Sequence, residues 1–229
     1  MILVRKILYG TTLMLLIVST GWSQRYKYGL NPTMLADYQK SIAKNSANEL
    51  IDLASFVPGI MLDIRYATAN NFTKEIIYKQ TKAYARKPVA EALKKAQESF
   101  AAYGVGIKVF DAYRPYSATV KFYEVYKDTT YVASPYKGSR HNRGCAIDMT
   151  LVDLKTGKNL KMPTEYDSFK KEAWPSTIVK DAEVKKNRDL IISVMAKHGF
   201  KVNSSEWWHF DFIGWQKFDV LDIDFEELE

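Results

Sequence analysis

Apolar residues recur at helical spacing in two segments of the chain. Between 88 and 102, Val89, Ala92, Leu93, Ala96 and Phe100 share one helical face, and Pro88 stands at a first-turn position, so this stretch is expected to be an amphipathic helix. Gly104-Val105-Gly106 stops it and opens the β-rich run Ile107-Lys108-Val109-Phe110. A second strong helix is expected over 181–197, ended by Gly199. Weaker helical candidates cover 32–46 and 117–127. Residues 60–66 alternate apolar with polar in their second half and read as a strand entering a loop at Asn70-Asn71. Residues 145–152 and the aromatic run 207–212 also read as strands. Strands and helices are interspersed without the regular rhythm of a doubly wound sheet. The expected class is therefore α+β, a single domain with one central antiparallel sheet flanked by helices.

The amino terminus follows a different pattern. Arg5 and Lys6 precede an uncharged stretch, 7–24, whose apolar centre at 13–18 is followed by Ser19, Thr20, Gly21 and Ser23. That is the order of a secretory signal, with Gly21-Trp22-Ser23 as its cleavage site and Gln24 as the mature start. The alternative is an uncleaved anchor, but Gly10, Thr11, Thr12, Ser19 and Thr20 dilute the run of roughly 20 apolar residues that spanning needs. No cysteine follows to carry a lipid. The expected division is a signal peptide at 1–23, an N-terminal helical extension at 24–50, the main domain at 51–218 and a solvated acidic tail at 219–229. The expected location is outside the cytoplasm, in a periplasm, with no stable membrane insertion after cleavage.

Composition narrows the function. With 229 residues, 47% hydrophobic and 26% charged, the chain is neither disordered nor a disulfide-stapled miniprotein. Its single cysteine, Cys145, excludes an internal disulfide and any Cys-rich zinc finger. The formal charge of +7 becomes +5 once residues 1–23 are removed, a weak spread that does not point to nucleic acid.

Two of only three histidines lie in chemically suggestive segments. Between Ser139 and Asp148, His141 and Asp148 stand seven apart with Gly144 and Ala146 between them; Glu206-Trp207-Trp208-His209 adds a second histidine and an acid. A catalytic zinc site takes three N or O ligands and keeps one position open, and His141, Asp148 and His209 supply that count. Glu206 is then free to act as general acid and base. The competing reading makes either histidine a packed aromatic. His198, by contrast, stands at a helix end and reads as a cap. Glu206 and His209, three apart, face opposite sides of a regular strand, so their joint use requires a turn or bulge between them. Cys145 reads as a small packed residue and not as a fourth ligand, which would close the site to water. Arg114, taken alone, reads as a surface ion pair.

Ser139-x-His141-x-x-Gly144-x-Ala146-x-Asp148 followed by Glu206-x-Trp208-His209 resembles the signature of the zinc D,D-peptidase superfamily, which shares its metal-site fold with the hedgehog signalling domain. Asp63 to Thr68, Asn71-Phe72-Thr73, Asp111-Ala112-Tyr113-Arg114-Pro115 and Met149-Thr150-Leu151 are similar to further stretches of its D-alanyl-D-alanine dipeptidase (VanX-type) branch, over roughly 51–213. The resemblance implies one zinc ion held by His141, Asp148 and His209, Glu206 as the base, and Arg114 steadying the oxyanion. It further implies Asp167 as the partner of the substrate's ammonium, and Tyr66 and Ser139 as pocket residues. The implied substrate is the small dipeptide D-Ala-D-Ala. A D,D-carboxypeptidase or endopeptidase acting on peptidoglycan stem peptides, and a non-catalytic zinc-stabilised module, are the alternatives. The chain departs from the branch at Arg140, where a small hydroxyl residue is common, and in a shorter connection from Arg114 to His141.

Overall fold

The computed structural model describes residues 27–229; the expected signal peptide lies outside them. The first helix, α1, spans Leu35–Lys44 and buries Tyr38, whose hydroxyl accepts a 2.7 Å hydrogen bond from the Leu50 amide. Strand β1 (Leu50–Asp52) follows, and Asp52 caps the short helix α2 (Leu53–Phe56). Next come β2 (Met61–Leu62), β3 (Tyr84–Arg86), α3 (Lys87–Ala101), β4 (Val105–Asp111) and α4 (Tyr116–Val125). The chain finishes with β5 (Ala146–Asp153), α5 (Ala182–Lys197), β6 (Phe200–Val202) and β7 (His209–Phe212).

Five strands form the main sheet in the order β2-β4-β5-β7-β6, and β1 pairs with β3 in a separate two-stranded sheet. Strands β4 and β5 sit inside the sheet and are buried almost from end to end, so their sequences run apolar without strict alternation. Helix α3 packs on β4 through Val89, Leu93, Ala96 and Phe100, all fully buried, and α5 packs on β5 and β6. Asp181 caps α5 by accepting from the Glu183 and Val184 amides at 2.9 and 3.2 Å, and Gly199, at φ 83°, lets the chain reverse after it. His198 is the C-cap of that helix, its Nε2 2.8 Å from the Ser99 hydroxyl. Among the described residues no helix is long and apolar enough to cross a membrane.

The α+β class stands, with three differences of detail. The sheet is mixed, because β2 runs parallel to β4 while the other three pairings are antiparallel. The strand expected over 60–66 is only two residues long: after Leu62 the Asp63 amide donates to Val109 O at 2.8 Å and the chain coils into a 3-10 turn, Arg65–Ala67. The alternation there reflects Ile64 and Tyr66 turning into the core, not a pleat. The third difference is the carboxyl end, expected as a solvated tail. Val220, Leu221, Ile223 and Phe225 are buried, and Asp222 is fully enclosed with Oδ1 accepting from the Ser117 amide at 3.0 Å near the start of α4. The acids among these apolar residues are thus partly spent as caps, and Asp224 with Glu227 closes a capping box on the last turn. Leu221 also receives the Tyr116 amide on its carbonyl and donates its own amide to Asn142 O at 2.9 Å.

Candidate active site

Strand register builds the site. On β4 and β5 the pairing runs Val109 with Met149, then skips one residue so that Asp111 lies opposite Asp148. On the other side of β5, Asp148 pairs directly with His209 of β7. Directly opposed residues project from the same face, so Asp111, Asp148 and His209 form one row across three strands. His141 enters from the 3-10 turn His141–Arg143, which ends at Gly144 with φ 66°. A Cβ at Gly144 would stand 2.7 Å from Leu50 and 3.2 Å from the Arg86 backbone nitrogen, so both the left-handed conformation and the close approach require glycine.

His141 Nε2 lies 3.4 Å from Asp148 Oδ1, His209 Nδ1 lies 3.0 Å from the same oxygen, and the two ring nitrogens are 3.1 Å apart. All three side chains are buried. The outer nitrogen of each ring is occupied: His141 Nδ1 donates to Ala112 O at 2.7 Å and His209 Nε2 donates to Asp211 Oδ1 at 2.9 Å. That fixes the tautomers so that both inner nitrogens offer lone pairs to a common point. Asp148 Oδ2 accepts from Tyr166 at 3.0 Å, whereas Oδ1 is buried with no hydrogen-bond partner among the described residues. A buried carboxylate oxygen facing two imidazole lone pairs is what a divalent cation satisfies, and two nitrogens plus one oxygen suit zinc. Without a cation, a proton on His209 stands in its place, and a bound ion must displace it. Burial opposes charge on Asp148, yet His141 and His209 hold its carboxyl well below the usual range; burial likewise opposes charge on His209, yet Asp148 and Asp211 hold its imidazolium well above its ordinary value.

Glu206 ends the loop before β7. The turn through Trp207 and Trp208 puts its Oε2 3.8 Å from His209 Nδ1, which meets the requirement set by their three-residue spacing. Asn203 donates to Oε2 at 3.3 Å. Burial raises the Glu206 carboxyl to about 7, with His209 pulling the other way and Asp148 reinforcing the rise.

Arg114 is buried, not a surface ion pair: Nε and Nη2 donate to Asp111 Oδ2 at 2.9 and 2.7 Å, and the guanidinium lies over the Phe122 and Tyr66 rings. Nη2 is also 4.0 Å from Asp148 Oδ2, so the cation faces the row of Asp111, Asp148 and His209. Asp167 adopts φ 60°, a left-handed conformation costly for a non-glycine residue, and both its oxygens lie within 3.2 Å of the Tyr66 hydroxyl that donates to them. Burial pushes its carboxyl well above the ordinary range, and the Asp148 and Glu206 charges push it further. Ser139 accepts from the His141 amide at 3.2 Å.

Tyr66, Arg114, Ser139, His141, Asp148, Asp167, Glu206 and His209 all line one cavity of about 110 Å³. Cys145 stays outside it, packed in the core with its thiol pushed up to about 12 by burial. Sequence reasoning passed over four supporting residues. Asp111 and Tyr166 position Arg114 and Asp148, Asp211 holds His209, and Asn142 ties the turn carrying His141 to Arg114 O, Thr119 and the Ser139 amide. Asp111 lay three residues before Arg114 in a quoted motif; the others carry no spacing signal.

The family profile described as D-ala-D-ala dipeptidase matches residues 46–226, a span that includes all eight of these residues. The chain is 34% identical over 169 residues to the D-alanyl-D-alanine dipeptidase of Escherichia coli (strain K12), covering 73% of this chain and 86% of that protein. Proteins of the same name from Enterococcus faecium and Enterococcus faecalis are each 30% identical, over 178 and 187 residues, covering 69% and 72% of this chain and 88% and 92% of their own lengths.

Proposed function

The chain belongs to the D-Ala-D-Ala dipeptidase family, and from that premise we propose that it hydrolyses free D-alanyl-D-alanine or a close relative, with one zinc ion held by His141, Asp148 and His209. The observation that carries this reading is the partnerless, buried Asp148 Oδ1 facing two oriented imidazole nitrogens in the cavity that also holds Glu206, Arg114 and Asp167. Bound zinc supplies a Lewis acid that polarises the scissile carbonyl and acidifies water. Glu206 takes the proton of the attacking water and returns it to the leaving nitrogen; burial favours its protonated form and a nearby cation its ionised form, so both are within reach. Arg114, anchored by Asp111, faces the carbonyl oxygen where negative charge grows as the tetrahedral centre forms. Asp167 and Tyr66 receive the substrate's free ammonium, and Ser139 lines the same pocket.

A carboxylate that must meet an ammonium favours a free dipeptide over an acylated stem peptide, whose nitrogen carries no charge. The n-region, apolar centre and small-residue site at 1–23 support export to a periplasm and hence salvage of wall-derived dipeptide. The deciding experiment is a panel of free and N-acylated dipeptides assayed with the full chain, with and without chelator. Zinc-dependent release of D-alanine from D-Ala-D-Ala is expected; efficient cleavage of acylated stems with free dipeptide inert would establish the carboxypeptidase reading instead.

A further inference from the structure

The active-site cavity shares a wall with a second, larger one of about 490 Å³, lined by Lys201, Asn203, Asp211, Ile213 and Trp215 among others. Arg140 and Asn203 line both. Arg140 departs from the pattern of the resembling branch, and its guanidinium is singular among the described arginines. Arg65, Arg86, Arg114, Arg143 and Arg188 each donate hydrogen bonds to a carboxylate or carbonyl. Arg140 donates none to any described residue. It is held only by a 3.6 Å ion pair from Nε to Asp211 Oδ2 and by stacking 4.9 Å from the Trp215 ring centroid, and its side chain is 47% exposed. Asp211 reaches Arg140 through Oδ2 alone and at 3.6 Å, its Oδ1 being held by His209 at 2.9 Å, so it does not saturate the fork. Lys201, the cross-strand neighbour of Asp211, adds a second cation to the same groove.

An oriented guanidinium with unspent parallel donors is a receptor for a carboxylate. Tyr66 and Asp167, the ammonium end of the reading above, do not line the second cavity. A dipeptide anchored there by its amino group therefore runs its second residue toward the shared wall, and an alanine methyl leaves a groove of this size empty. Resting on the dipeptidase reading, we propose that the second cavity is the side-chain subsite for the leaving residue and that Arg140 makes the enzyme favour a second residue with an extended, acidic side chain.

The test compares D-Ala-D-Glu with its neutral isostere D-Ala-D-Gln on the zinc-loaded full chain. Arg140 would meet the side chain of the leaving residue, a contact made in ground and transition states alike, so the expected difference is in KM, lower for D-Ala-D-Glu by on the order of tenfold, with kcat similar. Arg140→Gln is expected to bring the two KM values together, and Arg140→Lys, which keeps charge without the fork, to retain part of the gap. Because each comparison is made within one protein, altered folding of a variant cancels. Equal KM values in the unmutated enzyme overturn the proposal, as does a D-Ala-D-Glu preference that survives Arg140→Gln. An Arg140→Gln loss equal for both substrates overturns it too, since it assigns Arg140 to the main-chain carboxylate. Absence of any hydrolysis, D-Ala-D-Ala included, defeats the dipeptidase reading itself and is thereby distinguishable.

Discussion

Asp111 on β4 and Asp148 on β5 are direct cross-strand partners only because the register slips by one residue between Val109 and Asp111. Without that bulge Phe110 would oppose Asp148, and the site would have an aromatic ring where it has a carboxylate. The two acids instead share Arg114, at 2.7 Å from Asp111 and 4.0 Å from Asp148, so one cation stands beside both.

Metal removal is the first consequence. With the Asp148 oxygen and two oriented imidazoles as ligands, exhaustive chelation should abolish hydrolysis of D-Ala-D-Ala, and zinc should restore it. Elemental analysis should find about one zinc per chain. His209→Ala should lose the metal itself. Full turnover by metal-free protein would overturn the mechanism.

Glu206→Gln separates chemistry from assembly. The amide keeps the shape and the Asn203 contact but cannot accept a proton, so zinc content should persist while kcat falls by at least about 100-fold. Wild-type turnover in this variant would remove Glu206 from the reaction.

The pH profile carries its own sign. Burial sets Glu206 to about 7 in the metal-free protein, and the base works only when ionised. kcat/KM should therefore fall as pH drops through the carboxyl's apparent pKa. A neighbouring zinc ion favours the carboxylate, so the acid limb of the loaded enzyme should lie below 7. Steady-state rates across the acid range test this, and activity that climbs as the pH falls would contradict it.

Asp167 gates the amino end. An N-acetyl group removes the ammonium and leaves the carboxylate facing an uncharged amide, so N-acetyl-D-Ala-D-Ala should lose about 100-fold or more in kcat/KM relative to the free dipeptide. Asp167→Ala should narrow that ratio by harming the free dipeptide most. Equal kcat/KM for the two substrates in the unmutated protein would promote the stem-peptide reading.

The carboxyl segment should prove structural. Phe225 is 4% exposed and packs against Tyr78, Tyr84 and Tyr113 with ring centroids at 4.9, 5.6 and 6.1 Å. Phe225→Ala should destabilise the fold by about 3 kcal/mol or more in chemical denaturation. A change within experimental error would return this stretch to the status of a loose tail.

The sequence disclosed its chemistry more fully than its architecture. His141, Asp148, Glu206 and His209, which the structure brings into one cavity, could be picked out as candidates because metal and proton-transfer chemistry restricts residue type and spacing together. Helices α3 and α5 were legible because long amphipathic periodicity is unambiguous. Short strands such as β1, β3 and β6, three residues each, hold no full period and are fixed by tertiary pairing. The carboxyl segment misled because its acids dominate a charge count, whereas the apolar residues between them decide its burial. Asp211 and Asn142 escaped notice because residues that hold other residues in place need only a hydrogen-bonding group at the right point in space.

The bond from the Leu221 amide to Asn142 O couples the turn that carries His141 to a buried segment far along the chain. A chain in which the segment around Leu221 is displaced keeps every candidate ligand and loses this clasp. The turn that presents His141 is thus braced from outside the main sheet, and loosening the one should unsettle the other.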